Sequence, residues 1–184
     1  MSDTPRTLAT LLGLLADNTS GNITPQVMRD LLVSLYPSRG QLELAPGGSA
    51  ATTFTGTGVY TPVAGTTVLD TGVGTANITM PGNGQLRFEK AVTEVVLATA
   101  NLEVLPAANN KRFTFTFAKN GTAIPELAIT TFYGNLSGNP AAVMLSGFVT
   151  MAANDILSVV VKNDTDTTAI TASVLTLSGV GFMT

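Results

Sequence analysis

Asp164 and Asp166, two residues apart in the run Lys162-Asn163-Asp164-Thr165-Asp166, are the carboxylates best spaced to hold a cation. Two carboxylates fall short of the roughly six to eight oxygens that calcium takes, so the run reads as a polar, solvated hairpin. Glu89 and Glu94 could serve as a glycosidase pair only at a carboxyl separation that sequence does not fix. Gly72-Val73-Gly74 lacks both a third glycine at the right offset and a helical pattern behind it, so it makes no phosphate loop. The chain contains no His and no Cys. The commonest metal ligands and the commonest proton shuttle near neutral pH are therefore missing, along with disulfides and thiolate chemistry. With no order of nucleophile, base and orienting group to be read, no enzyme, no cofactor and no metal is expected.

Composition explains where such a chain spends its residues instead. Only 11% of the 184 residues are charged and the mean hydropathy is +0.34. That is too apolar for disorder and leaves an uncharged surface that another copy or another protein would cover. The length allows one core with a small accessory element. A net charge of -3 with scattered basic residues gives no footprint for nucleic acid. No apolar run approaches the roughly 18 residues of a membrane helix. Residues 8–16 follow the single Arg6 and lack a cleavage pattern, so they read as a folded amphipathic helix.

Two helix signatures open the chain. Thr4 and Thr24 stand as caps before Pro5 and Pro25 at the first helical position. Leu8, Leu11, Leu12 and Leu15 share one face of the first helix, and Val27, Leu31 and Leu35 one face of the second, widened by Met28 and Leu32. Helices this short need packing, on each other, on the following domain or on a partner. Residues 1–36 thus form a helical attachment segment, and residues 37–53, with Pro46-Gly47-Gly48-Ser49, read as a linker. Residues 54–184 are all β. Phe113, Phe115 and Phe117 alternate with Thr114 and Thr116, which places rings inside and hydroxyls outside, and Lys119-Asn120-Gly121 supplies a tight reversal. Further strands are expected at 85–88, 94–97, 128–133, 142–149, 156–161 and 169–177. Their spacing indicates an antiparallel two-sheet sandwich.

Three stretches, 112–124, 147–164 and 172–183, occur in an order that resembles the tumour-necrosis-factor and complement-type jelly-roll family. There a strand enters a Lys-Asn-Gly turn, an aliphatic strand follows a Gly-Asp turn, and the last strand ends on a Gly-Phe pattern. Here Asn154-Asp155 stands in place of Gly-Asp, and Gly181-Phe182 makes the ending. The resemblance implies a homotrimer built around an apolar three-fold axis. Tyr60, Phe132, Tyr133, Phe148 and Phe182 are the aromatic residues assigned to that interface. A second resemblance lies in Asp17, Asn18, Gly21, Ile23, Gln26, Arg29 and Asp30, a pattern similar to one in bacteriophage head-fibre, decoration and tail-fibre proteins.

Together these readings give a mainly β chain, a TNF-like jelly-roll preceded by a short helical segment. The expected role is a phage virion structural protein, a capsid decoration or short head-fibre protein bound to the capsid surface as a homotrimer. Leu8, Leu11, Leu12, Leu15, Val27, Leu31 and Leu35 would grip the major capsid protein. The alternative is a tail-tip or fibre adhesin that binds a host-surface receptor or glycan.

Overall fold

The computed structural model describes residues 6–7, 10, 12–13, 24–70, 74–134 and 140–182, apart from the side chain of Val33. Helix α1 (Pro25–Leu35) begins where the Thr24 side chain accepts a hydrogen bond from the Val27 N–H at 3.2 Å, with Pro25 in the first turn.

Among the described residues thirteen strands follow: β1 (Arg39–Ser49), β2 (Ala51–Thr52), β3 (Thr61–Pro62), β4 (Gly65–Leu69), β5 (Ile78–Thr79), β6 (Gln85–Phe88), β7 (Glu94–Pro106), β8 (Lys111–Lys119), β9 (Thr122–Ala123), β10 (Ile129–Tyr133), β11 (Ala141–Met151), β12 (Ile156–Asn163) and β13 (Ile170–Phe182). The first sheet has the order β11-β7-β13-β1-β4, with β2 beside β13. The second has the order β10-β8-β12-β6-β5, with β3 beside β12 and β9 beside β8. From β6 to β8, and again from β10 to β13, the chain switches sheet at every strand. The result is an antiparallel jelly-roll sandwich, mainly β and preceded by the short helix α1, as the sequence led one to expect.

Strand β8 supplies the centre of the core. Phe113, Phe115 and Phe117 are fully buried and pack in one cluster with Leu86, Phe88, Leu157, Val159 and Val161 of the same sheet and Ala98, Ala100, Leu102, Leu145 and Leu177 of the other. Each buried ring contributes roughly 1.5–3 kcal/mol. The intervening hydroxyls, expected outside, are also covered. Thr114 Oγ1 bonds the Thr130 hydroxyl at 2.7 Å and donates to Asp164 at 2.5 Å, and Thr116 donates to the Ile124 carbonyl. Asn120 and Gly121 both take positive φ (51° and 79°), the geometry that twists a two-residue hairpin correctly. Asn154 has φ 67°, so it adopts the left-handed conformation that glycine would take in the resembled family.

The span expected as a linker contains strand β1. Gln41, Leu42 and Glu43 pair with Ser178, Leu177 and Thr176 of β13 on one side, while Leu42 and Glu43 pair with Leu69 and Val68 of β4 on the other. Leu42 is fully buried. The glycine-rich end of the strand is bulged, with the register shifting between Leu44 and Ser49 and Gly47 at φ 71°. A strand whose partner lies at the other end of the chain needs little periodicity of its own, and the Pro-Gly-Gly run concealed it.

Candidate functional site

No reactive constellation assembles among the described residues; the distinctive feature is an apolar face on the first sheet. Strand register sets it out in rows. Phe148 of β11, Leu97 of β7 and Val180 of β13 lie side by side, and Thr150, Val95 and Phe182 form the next row. The Phe148 and Phe182 rings meet edge-on, with centroids 6.1 Å apart at 64°. They are 65% and 47% exposed. The adjacent row is uncharged: Ser146, Thr99 and Ser178, with the last two hydroxyls bonded at 2.6 Å. Met144, 70% exposed, continues the face beside Asn101 and Thr176. Charge enters at the margins: Glu103 at the far end, within reach of the Ser173 hydroxyl at 3.2 Å, and the exposed Arg39 and Glu43 of β1, paired with Val180 and Thr176. Exposed rings beside aliphatic neighbours make an apolar patch, the kind of surface at which proteins associate.

Of the five aromatic residues assigned to the interface, the structure brings only Phe148 and Phe182 together. Phe132 is 62% exposed, on β10 at the edge of the second sheet. Tyr60 is half-buried, with the Lys162 ammonium 5.3 Å from its ring centroid. Tyr133 requires a correction: it is 2% exposed and packs edge-on against Phe113 at 5.7 Å, inside the subunit. Burial pushes its hydroxyl above the ordinary tyrosine range, and that hydroxyl has no hydrogen-bond partner among the described residues. Val95, Leu97, Met144 and Val180 were not singled out from sequence, although β7 is apolar at successive positions from Val95 to Ala98 and therefore on both faces.

Helix α1 presents a second apolar surface. Met28, Leu32, Leu35 and the following Tyr36 are exposed, whereas Val27 and Leu31 are half-buried. Leu12 is also exposed, and Leu8, Leu11 and Leu15 lie outside the described residues. The buried side of α1 is polar. Asp30 receives Arg6 Nε at 2.8 Å and Gln26 Nε2 at 2.7 Å, while Ser34 Oγ accepts from the Arg6 N–H at 2.7 Å and donates to the Asp30 carbonyl at 2.6 Å. A cleft of about 320 Å³ runs between Leu32 and Tyr36 of this segment and Ala76 and Asn77 of the β domain.

The carboxylates that could have done chemistry are all engaged. Asp166 accepts from Lys111 Nζ at 2.5 Å, from the Thr168 N–H at 2.8 Å and from Asn163 Nδ2 at 2.9 Å. The Lys111 bond and then the Thr168 N–H lower its pKa to about 2. Asp164 is bound to Thr114 and, at 3.1 Å, to Lys162. No group of three or more metal-ligating side chains occurs among the described residues. Glu89 is held below the usual carboxylate range by Thr79 and Arg87, at 2.5 and 2.6 Å. Glu94 is buried against Lys90 at 2.8 Å. Glu89 is not placed as a proton donor, because Thr79 and Arg87 favour its charged form. No described helix is long and apolar enough to cross a membrane.

No protein-family model and no curated protein matches the chain. Among solved structures, Eiger TNF from S. frugiperda superposes with a TM-score of 0.54 at 10% identity, covering 80% of this chain and 93% of that one. Murine APRIL superposes at 0.52 and 15% identity, covering 78% and 99%. The PRD1 vertex protein P5 superposes at 0.48 and 11% identity, covering 79% and 96%. The fold is that of the TNF-like jelly-rolls.

Proposed function

We propose that the chain is a structural protein of a phage particle, a capsid decoration or short head-fibre protein that stands on the capsid surface as a homotrimer. The exposed Phe148–Phe182 pair, in register with Leu97, Val180 and Val95, carries the reading. An apolar sheet patch of this kind, with its charges at the margins, is what three-fold self-association would bury. The TNF-like fold and the resemblance of residues 17–30 to phage virion proteins support the same assignment. The exposed apolar face of α1, with Met28, Leu32, Leu35 and Tyr36, is the surface proposed to grip the major capsid protein, alongside Leu8, Leu11, Leu12 and Leu15. Three arms on one trimer raise the effective concentration of each contact, so weak single contacts add up to durable attachment. Such a protein needs no catalytic group.

The test uses the full chain. It should sediment as three subunits and bind empty capsids, and Leu32→Glu with Leu35→Glu should abolish binding while leaving the trimer intact. A monomeric chain, or undiminished binding by the double variant, would overturn the respective half of the proposal. A second reading, an adhesin at a tail tip or fibre, draws on the exposure of Phe132 on an edge strand. Copy number separates the two: a decoration protein occurs in the particle at a level comparable with the capsid protein, an adhesin in a few copies.

A further inference from the structure

We infer that Lys90 is a latch, which fixes the direction of helix α1 against the β domain by capping the helix from outside it. The last carbonyls of any helix lack intrahelical partners, and cations near them are stabilising. Helix α1 has no basic residue in its last turn. Lys90, from the segment between β6 and β7, supplies the charge instead. Its ammonium donates to the Ser34 carbonyl at 3.0 Å, to the Tyr36 carbonyl at 2.9 Å and to Glu94 Oε1 at 2.8 Å. An ammonium has three hydrogens, so these three acceptors use all of them.

The joint is closed on every side. The side chains of Lys90 and Glu94 are 1% and 2% exposed. The Glu94 carboxylate also faces the Ser38 N–H, 3.4 and 3.3 Å from its two oxygens. The Gly181 N–H donates to the Ser38 carbonyl at 2.6 Å, and a β-carbon on Gly181 would lie 2.6 Å from Glu94 Oε2. Lys90 therefore holds the chain before Pro37, and Glu94 with Gly181 holds it just after. Removing either charged partner strands the other without compensation in a dry site, so the joint cannot loosen by degrees. The arm leaves the sandwich in one set direction, before it has met any partner. This inference goes beyond the proposed function and holds whatever the arm binds.

The test is amide hydrogen exchange on the full chain, comparing α1 with β8 and β12 in the wild type and in Lys90→Met/Glu94→Met. The double variant removes both charges, so no lone buried ion unfolds the domain, yet the Ser34 and Tyr36 carbonyls lose their donor. Exchange in α1 should quicken by about tenfold or more while β8 and β12 keep their protection. Protection of α1 within about twofold of wild type would overturn the latch. An equal loss in α1, β8 and β12 would overturn it as well, because the pair would then support the whole fold and not the joint. Capsid binding is not read, so failure here is separate from failure of the attachment proposal.

Discussion

The ring of Phe88 stands where a side chain on Gly179 would have to go: a β-carbon there would lie 2.9 Å from Phe88 Cζ and 3.3 Å from Val96 Cγ1. Both neighbours are buried, so neither can swing into solvent. Gly179→Ala should therefore destabilise the domain by about 1–3 kcal/mol through overpacking. Chemical denaturation would read this directly, and an unchanged midpoint would show that the two sheets can part locally without loss.

Tyr133 offers the opposite outcome. Its ring fills the core beside Phe113, but its hydroxyl is buried without a partner among the described residues. Tyr133→Phe keeps the ring and removes a group whose desolvation nothing repays. Stability should rise, or at worst hold, by up to about 1 kcal/mol. A clear loss on thermal melting would mean that the hydroxyl has a bond in solution.

The β8 hairpin was legible in the sequence because ring alternation and an Asn-Gly reversal are local signals, and both survive in the fold. Strand β1 was not, since its pairing with β13 joins opposite ends of the chain across a glycine-rich bulge. The apolar patch on the first sheet was half legible. Phe148 and Phe182 are aromatic and stood out, but that they touch depends on β7 lying between β11 and β13. Tyr133 misled because residue type does not tell which face of β10 turns inward. Helix α1 inverted the usual pattern: Asp30 and Ser34 are buried while Leu32 and Leu35 are exposed, and the Arg6 that bonds both polar residues is too distant for the apolar periodicity of the helix to reveal it. The Lys90 joint depends on three separate segments meeting and left no local trace.

Asp166 makes stability depend on pH in the acid range. Its carboxyl titrates at about 2 in the folded chain against 3.8 for the ordinary side chain, through Lys111 first and then the Thr168 N–H. A lowered folded pKa stabilises above the unfolded value, and this contribution fades as pH falls from 3.8 towards about 2. Asp166→Asn should therefore melt below the wild type at neutral pH, with the gap narrowing across that acid window. A gap of constant size would show that the loss comes from the turn's hydrogen bonds alone and not from the charge.

The exposed aromatic pair supports the sharpest test of assembly. Phe148 and Phe182 sit on the outer face of the first sheet, so replacing them leaves the core cluster untouched. Buried aromatic anchors at interface centres commonly account for about 2 kcal/mol or more each. Phe148→Asp with Phe182→Asp goes further, because it would place six carboxylates near one axis in a three-fold assembly and desolvate each of them. The double variant should sediment as a single subunit and lose capsid attachment with it, while its β-sheet circular dichroism stays that of the wild type. A trimer that survives both substitutions would move the interface to another face, and the exposed Phe132 edge of β10 would be the next to substitute.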